Sequence, residues 1–436
     1  MMKKACCALL LALTLGISLS TQSYEAFQGP TELIQYDPAK AFNGYTLFSP
    51  FRGKNSYLID MHGNVVHMWP YPDDFAVPDR ESIEKHARLL EDGTLLRGVI
   101  DRAGKGNQSG AIYQLVNWDG EVVWQHDEER PGYSPHHDFR MIWNPKLKQQ
   151  TLMYVVSRAI SHEEAIALGV DPSLRDNYAS RPDGLVEVDM LGNVIWEWNV
   201  SDHLVQDINA KLPTYGVIAD HPGKLDPNFS DGANGDWIHI NGFDYNEKLD
   251  QIVISNSVYS ELQIIDHGAT FVAGNAKKSI DLAASDAGDF IYRWGNPCAH
   301  HAGDCPAKLD DGQSSTNGHQ QVFFIHDAQW IREKEVTPMA GNLPGAGNLM
   351  VFDNGTRRQG LTYSSVLEID PYDGDMEQGV YVPQMLGGYD TPEGREFEPN
   401  QNISKQIVWR FKSALPNSFF SDYISGAQRL PNGNTL

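Results

Sequence analysis

Short apolar or alternating runs, separated by Gly, Asn, Asp and Pro, follow one another along most of the chain. Runs of this kind are typical of β-strands, because successive side chains of a strand face opposite sides of its sheet. Helical periodicity is confined to 81–90, 161–168 and 201–211, which we predict to be helices. The pattern therefore predicts an all-β protein with few helices.

One strand–turn–strand unit recurs along the chain. Residues 57–69, 112–124 and 185–198 each read as a strand, an Asx-Gly type turn and a second strand that ends in Trp, and looser copies with longer insertions occupy 262–294 and 366–409. Such units form β-hairpins. Five hairpins of one design imply a structure that repeats around an axis.

A second repeated element precedes the hairpins, and its frame starts at residues 86, 137, 239, 326 and 426. Each unit then supplies an inner pair of strands followed by an outer hairpin, which together make the four-stranded blade of a β-propeller. Counting the partial units at both ends predicts a six-bladed β-propeller. Its last blade is expected to be incomplete, because the repeat at 426 stops before its outer hairpin and the chain reads as truncated there.

The N-terminus has the pattern of a secretory signal peptide, with lysines, a short apolar run and then polar residues. We therefore divide the chain into a signal peptide at 1–20, an N-terminal extension at 21–43 and a propeller domain at 44–436. The mature protein is expected in the periplasm or outside the cell.

Beyond the signal peptide the chain keeps two cysteines, Cys298 and Cys305. In an oxidising compartment a close pair predicts a disulfide. A metal site is the alternative, because His300 and His301 lie between them. We favour the disulfide, since structural zinc usually needs four protein ligands at tighter spacing.

The net charge of the chain limits the classes of partner that we expect it to bind. The sequence has 57 acidic and 34 basic residues, for a formal net charge of -23. Such a surface repels phosphate backbones and anionic lipid, so neither nucleic acid nor membrane is an expected partner. The sequence does not indicate an oligomeric state.

Histidine occupies four of the five frame positions, as His86, His137, His239 and His326, with Gly426 at the fifth. The innermost strand of each blade lines the central channel, so these side chains are expected to form a ring. Imidazoles so placed can bind an anion, shuttle protons, hold a metal or attack an electrophile. The alternative is that each merely bonds to the neighbouring blade; four at one repeat position favour a functional role.

Several short motifs occur in a fixed order and are listed here by their ends: Asn43 to Phe48, His136 to Asp138, Asp236 to Asn241, Tyr292 to Asn296, His326 to Trp330 and Leu349 to Gly355. Together they resemble the bacterial aryl-sulfate sulfotransferases, six-bladed propellers of the cell envelope that need no nucleotide sulfate donor. The resemblance covers about residues 43–436.

This resemblance implies ping-pong transfer of a sulfuryl group from an aryl sulfate to a phenol, through a sulfohistidine and without a cofactor. His326 matches the family nucleophile, and His239 and His137 match the other channel histidines. Asn241 matches a residue that binds the sulfuryl oxygens. The pair Cys298 and Cys305 also has a counterpart.

Further candidates for substrate binding are His86, from the ring, and the pair Arg357 and Arg358, which follows a predicted inner strand. A solvated surface turn is the alternative for the two arginines. The sequence also departs from the family enzymes, because Ser257 stands near the place of a family arginine and the N-terminal β-sandwich domain is not found. Ser260-Glu261 fits a divergent branch better.

Two other functions remain open on the sequence. Quinone-cofactor dehydrogenases are propellers that also carry Trp-ended hairpins, although their cationic cofactor site and vicinal disulfide are not evident here. A non-catalytic propeller that binds an anion or another ligand is the other alternative.

Overall fold

The computed structural model describes residues 33–50, 53–71, 83–101, 110–173, 180–229, 235–308, 315–333, 343–358, 360–372, 381–384 and 403–436. Within these ranges the chain is an all-β propeller of five blades with few helices. The expected sixth blade is not confirmed. No helix in this part of the chain is long and apolar enough to cross a membrane.

Each blade is an antiparallel sheet whose strands pair in chain order. The first blade has three strands: β1 (Thr46–Phe48), β2 (Asn55–Ile59) and β3 (Val65–Pro70). The second has four: β4 (Ile83–Leu89), β5 (Leu95–Asp101), β6 (Gly110–Val116) and β7 (Val122–Glu128). The third has four: β8 (Tyr133–Asn144), β9 (Gln149–Arg158), β10 (Asp183–Val188) and β11 (Val194–Asn199).

The fourth blade comprises β12 (Ile240–Asn246), β13 (Gln251–Asn256), β14 (Glu261–Ile265) and β15 (Phe290–Trp294). A small hairpin follows, β16 (Ala307–Lys308) with β17 (Ser315–Thr316). The fifth blade comprises β18 (Ile325–Trp330), β19 (Leu349–Asp353), β20 (Ser365–Ile369) and β21 (Ile407–Phe411). The helices are α1 (His162–Leu168), α2 (His267–Thr270) and α3 (Ala276–Ala283).

All five predicted hairpins are present, as the last two strands of each blade. Of the predicted helices, that at 161–168 is confirmed, since Ser161 and Glu164 form a capping box at the start of α1. That at 81–90 is wrong, because β4 pairs with β5 along its whole length. That at 201–211 is wrong as well, with a single 3₁₀ turn at Val200–Asp202.

The tryptophans that end the outer hairpins tie each blade to the next. The indole N–H groups of Trp69, Trp124 and Trp198 donate to backbone carbonyls of the following blade at 3.2, 2.8 and 2.8 Å. The acceptors are Asn117, Met190 and Gly288. A buried indole N–H needs such a partner, so these bonds fix the distance between neighbouring outer edges.

Apolar packing also lies between blades. One buried cluster joins the third and fourth blades and another joins the fourth and fifth. In the third, fourth and fifth blades, the pairing of the first strand with the second is irregular. The register shifts within β8 after Pro135, within β12 after Ile240 and within β18 after His326. These are β-bulges, which re-aim the side chains next to them.

A buried charge cluster crosses from the third blade to the fourth. His267 in α2 is bonded through Nδ1 to Asp250 at 2.6 Å and through Nε2 to Glu187 of β10 at 2.9 Å. Burial disfavours the imidazolium, but the two carboxylates outweigh burial and raise the pKa of His267 to about 9. His267 is therefore a cation at neutral pH.

We predict that this cluster makes stability depend on pH. Because the folded pKa is raised, the stabilisation is complete below the unfolded pKa of 6.5 and is lost as the pH rises through about 9. The loss is on the order of 3 kcal/mol. Urea unfolding of the wild type and of His267→Gln at pH 6 and pH 9.5 measures it. The stability gap between the two proteins should shrink at high pH, and an unchanged gap contradicts the assignment.

Candidate active site

His326 is buried at the channel end of β18, with 6% of its surface exposed, and both ring nitrogens are bonded. Nδ1 lies 2.6 Å from Oδ1 of Asn354, and Nε2 lies 3.2 Å from the backbone nitrogen of Ile424. The direction of these two bonds determines which ring nitrogen carries the lone pair.

Asn354 sets that direction. Its amide nitrogen donates to the carbonyls of Ser421 at 2.9 Å and Ile424 at 2.8 Å. The amide oxygen must therefore face His326, and only a protonated Nδ1 can donate to it. Nε2 of His326 then carries the lone pair, and the Ile424 N–H donates to it.

The ring is neutral at physiological pH. The pKa of His326 is lowered to about 4, because the effect of burial, with a smaller contribution from the charge of His239, exceeds the opposing effect of the hydrogen bond with Asn354. A neutral imidazole with a defined lone pair on Nε2 is the form that can attack an electrophile.

The segment that covers Nε2 has an unfavourable backbone. Ile424 has φ +52° and Ser425 has φ +98°. A β-branched residue rarely adopts the left-handed region, because its side chain clashes with the backbone. The side chain of Ile424 is half exposed and so gains little from packing. The hydrogen bonds to His326 and Asn354 hold it there.

His239 stands at the start of β12 and also has a left-handed backbone, with φ +51°. Its Nδ1 donates to Asp236 at 2.5 Å. Burial acts to raise the pKa of Asp236, but the hydrogen bond and charge of His239 outweigh it, so that this pKa lies below its usual value. An ionised Asp236 favours a protonated His239.

His137, with φ +55°, lies beside His239, and their ring centroids are 4.6 Å apart. Nδ1 of His137 is 2.8 Å from Nδ1 of His136, whose Nε2 is 3.1 Å from Asp183. The His136 ring also stacks on His239, at 6.0 Å. The structure thus brings three imidazoles and two carboxylates together.

Asn241 links this cluster to β18, the strand that carries His326. Its amide nitrogen donates to the carbonyl of Ile325, the residue before His326, at 2.9 Å. Ser257, which stands near the place of the family arginine, donates to the carbonyls of His239 at 3.0 Å and Ile325 at 3.3 Å. These contacts tie the backbone at His239 to the backbone just before His326.

The remaining predicted binding residues lie in different settings. Arg357 is exposed, and its guanidinium lies 5.4 Å over the ring of Phe324, which in turn contacts the His326 ring at 5.7 Å. Arg358 is buried and pairs with Asp353. His86 is exposed on the unbulged strand β4, and its ring contacts Phe139 at 6.3 Å.

Cys298 and Cys305 form a disulfide, with their Cα atoms 4.9 Å apart. Within its loop, Nδ1 of His300 lies 3.3 Å from the buried carboxylate of Glu261, which also binds Arg293. The preceding Ser260 accepts a hydrogen bond from the backbone of Phe324 at 3.0 Å. Ser260 and Glu261 therefore connect the disulfide loop to the strand that carries His326.

The model of the arylsulfotransferase (ASST) family matches residues 46–436. The chain belongs to the arylsulfotransferase family. An arylsulfate sulfotransferase of Lelliottia amnigena is 26% identical over 239 residues, which cover 49% of this chain and 36% of that protein. The matched region is thus about a third of that relative's length.

Solved structures give weaker likenesses. Hydrazine synthase of Kuenenia stuttgartiensis has a TM-score of 0.33 and 12% identity over 58% of this chain and 59% of its own. A variant apocarotenoid oxygenase of Synechocystis has a TM-score of 0.28 and 13% identity over 75% of this chain and 66% of its own. TM-scores this low give no basis for inferring properties of this arylsulfotransferase family member from those two proteins.

Sequence reasoning did not assign roles to Asn354, Asp183, His136 or Asp236. Asn354, His136 and Asp236 lie within the motifs that carry the family resemblance. The short spacing of Asp236 and His239 in the sequence was a local indication that the two side chains could pair. Asp183 gave no signal, because its contact with His136 joins residues 47 positions apart.

We predict that the backbone of Ile424 controls access to Nε2 of His326. Asn tolerates the left-handed region, whereas Val shares the clash of Ile, so Ile424→Asn should stabilise the covered state and Ile424→Val should not. Carbethoxylation of His326 by diethyl pyrocarbonate, followed by mass spectrometry, should be about fivefold or more slower in the Asn variant. Equal rates in both variants would show that the segment does not cover the ring.

Proposed function

We propose that this chain transfers a sulfuryl group from an aryl sulfate to a phenol through a sulfohistidine at His326. The observation that carries the proposal is the bonding of His326, which leaves a neutral ring with its lone pair on Nε2. Family membership supports aryl sulfate as the donor class. The chemistry needs no cofactor, because the imidazole is itself the nucleophile.

In the first half-reaction, Nε2 of His326 attacks the sulfur of the aryl sulfate. The N–S bond forms, the bond between sulfur and the aryl oxygen breaks, and the phenolate leaves with a proton from a neighbouring imidazolium. The Ile424 N–H must move off the lone pair for this attack. It remains near enough to donate to a sulfuryl oxygen afterwards.

The second half-reaction reverses the first with a different phenol. The acceptor oxygen gives its proton to the imidazole that had protonated the leaving group and attacks the sulfur. The N–S bond breaks, and its electron pair returns to Nε2 of His326. Donor and acceptor use the same site in turn, which is a ping-pong mechanism.

The sulfuryl oxygens gain charge in both steps and need cationic or N–H donors. His239, whose Nδ1 donates to the carboxylate of Asp236, is the donor that the geometry supports best. His137 lies against it. We further propose Arg357 as a mobile cation at the entrance, because it stacks on Phe324 beside the nucleophile. Asn241 is proposed to support the site through Ile325, and His86 and Arg358 stay predicted contacts.

We also propose that the protein is exported to the periplasm or beyond. The proposal rests on the signal-peptide pattern of residues 1–20, which lie outside the described residues, and on the Cys298–Cys305 disulfide, a bond that persists in oxidising compartments. Aryl sulfates and phenols as small-molecule substrates fit that location.

The nucleophile is tested by His326→Asn with a chromogenic aryl sulfate and a phenol acceptor. The variant should lose both phenol release and the sulfated-enzyme adduct that mass spectrometry detects, because no N–S bond can form. His239→Asn should still form the adduct, but on the order of 10²-fold more slowly, as when a donor to a developing negative charge is removed, and His137→Asn should also form it more slowly.

Two results would contradict the proposal. If His326→Asn still transfers the sulfuryl group, a residue other than His326 is the nucleophile. A wild-type protein that binds aryl sulfate but never becomes sulfated would favour a binding propeller instead.

A further inference from the structure

Asp183, His136 and His137 form a continuous line of hydrogen bonds that ends at the site. Asp183 and His136 are buried, with 1% and 8% of their surfaces exposed, and His137 is half-buried. The distances are 3.1 Å from Asp183 to Nε2 of His136 and 2.8 Å between the two Nδ1 atoms.

The protons in this line can be assigned. One oxygen of Asp183 accepts the backbone N–H of Ile240 at 2.6 Å, so the carboxylate is oriented by the main chain. Its other oxygen accepts a hydrogen bond from Nε2–H of His136. In a neutral His136 the remaining nitrogen, Nδ1, is an acceptor, and His137 must donate to it from its own Nδ1. Nε2 is then the atom of His137 that exchanges a proton.

His239 is held differently, although it is only 4.6 Å away between ring centroids. Its Nδ1 bonds directly to a carboxylate, that of Asp236, which favours a lasting positive charge. The hydrogen bonds described for His137 connect it to a carboxylate through His136, which bonds to Asp183. Two adjacent imidazoles are thereby fitted to different tasks, one to keep its proton and one to exchange it.

We propose that His137 carries the phenol proton in both half-reactions, and that His136 and Asp183 are positioning residues that fix its tautomer. This inference rests on the proposed function. In the first half-reaction the His137 imidazolium gives its Nε2 proton to the departing phenolate oxygen and becomes the neutral Nδ1–H form. In the second, the Nε2 lone pair takes the proton of the acceptor phenol as its oxygen attacks sulfur.

Asp183→Asn is the most informative variant, because it reverses the direction of the hydrogen bonds that run from residue 183 through His136 to His137. The Asn oxygen keeps the bond to the Ile240 N–H, and its amide group then donates to Nε2 of His136. His136 must in turn donate from Nδ1, which forces His137 into the opposite tautomer with its proton on Nε2. An Asn in place of the Asp behind a catalytic histidine is known to impose the wrong tautomer in this way.

The test is the rate of enzyme sulfation, measured in single turnovers with a series of aryl sulfates whose leaving groups range from nitrophenols to unsubstituted phenol. In Asp183→Asn and His136→Phe, sulfation by the unsubstituted phenyl sulfate should fall on the order of 10²-fold or more, since a poor leaving group needs a proton donor. The nitrophenyl donor needs little help, so its rate should change much less.

Matched controls separate positioning from folding. His136→Gln can accept from His137 and donate to Asp183, so it should restore much of the rate with phenyl sulfate. His239→Asn should slow all donors by a similar factor, because it removes charge stabilisation and not the proton. An equal loss for every donor in Asp183→Asn would overturn the proposal.

A second measurement does not depend on transfer. In the ¹⁵N NMR spectrum of the wild type, neutral His137 should be the Nδ1–H tautomer, and in Asp183→Asn it should be the Nε2–H tautomer. If wild-type enzyme is never sulfated while the tautomer switches, the proposed function fails and the positioning role stands. If the tautomer does not change, the positioning role is wrong whatever the activity.

Discussion

The site depends on a break in the inner strands. In a regular inner strand, every residue pairs with the neighbouring strand and successive side chains alternate between the two faces of the sheet. Strand β4 is regular in this sense, and its His86 is exposed. Where β8 and β18 bulge, His137 and Asp327 take left-handed backbone conformations with φ near +50°, and His239 does so just before β12, whose bulge follows Ile240. Such conformations are unfavourable for these residues and persist only where the surroundings fix them.

The surroundings that fix the bulges are neighbouring blades. One carboxylate oxygen of Asp138 binds Arg88 in the preceding blade at 2.6 Å, and the other accepts the backbone N–H of Phe243 in the following blade at 3.2 Å. Asp327 likewise accepts the N–H of Ala427 at 3.2 Å. The outer tryptophans bond neighbouring blades to each other and these carboxylates hold the inner strands, so the positions of the site histidines depend on contacts between blades.

The sequence was informative where contacts are local. The hairpins, the Trp that ends each one, helix α1 and the Cys298–Cys305 bond all join residues close in the chain or repeat at a recognisable interval. It misled at 81–90, where pairing of β4 with β5 overrides local helical periodicity. The sixth blade that it predicts is not confirmed within the described residues, where five sheets form blades. The sequence was silent on the bonds of Asn354 to a segment 70 residues away and of Asp183 to His136, since these residues are far apart in the chain and only the folded structure brings them together.

The fold holds His326 as a neutral ring whose lone pair is on Nε2. The ¹⁵N chemical shifts of His326, followed across a pH titration, measure both properties in the unmodified protein. We expect a protonated Nδ1 and an unprotonated Nε2 at neutral pH, with a pKa of about 4. A ring protonated on Nε2 at neutral pH, or one that titrates near 6.5 as an exposed histidine does, would contradict this expectation.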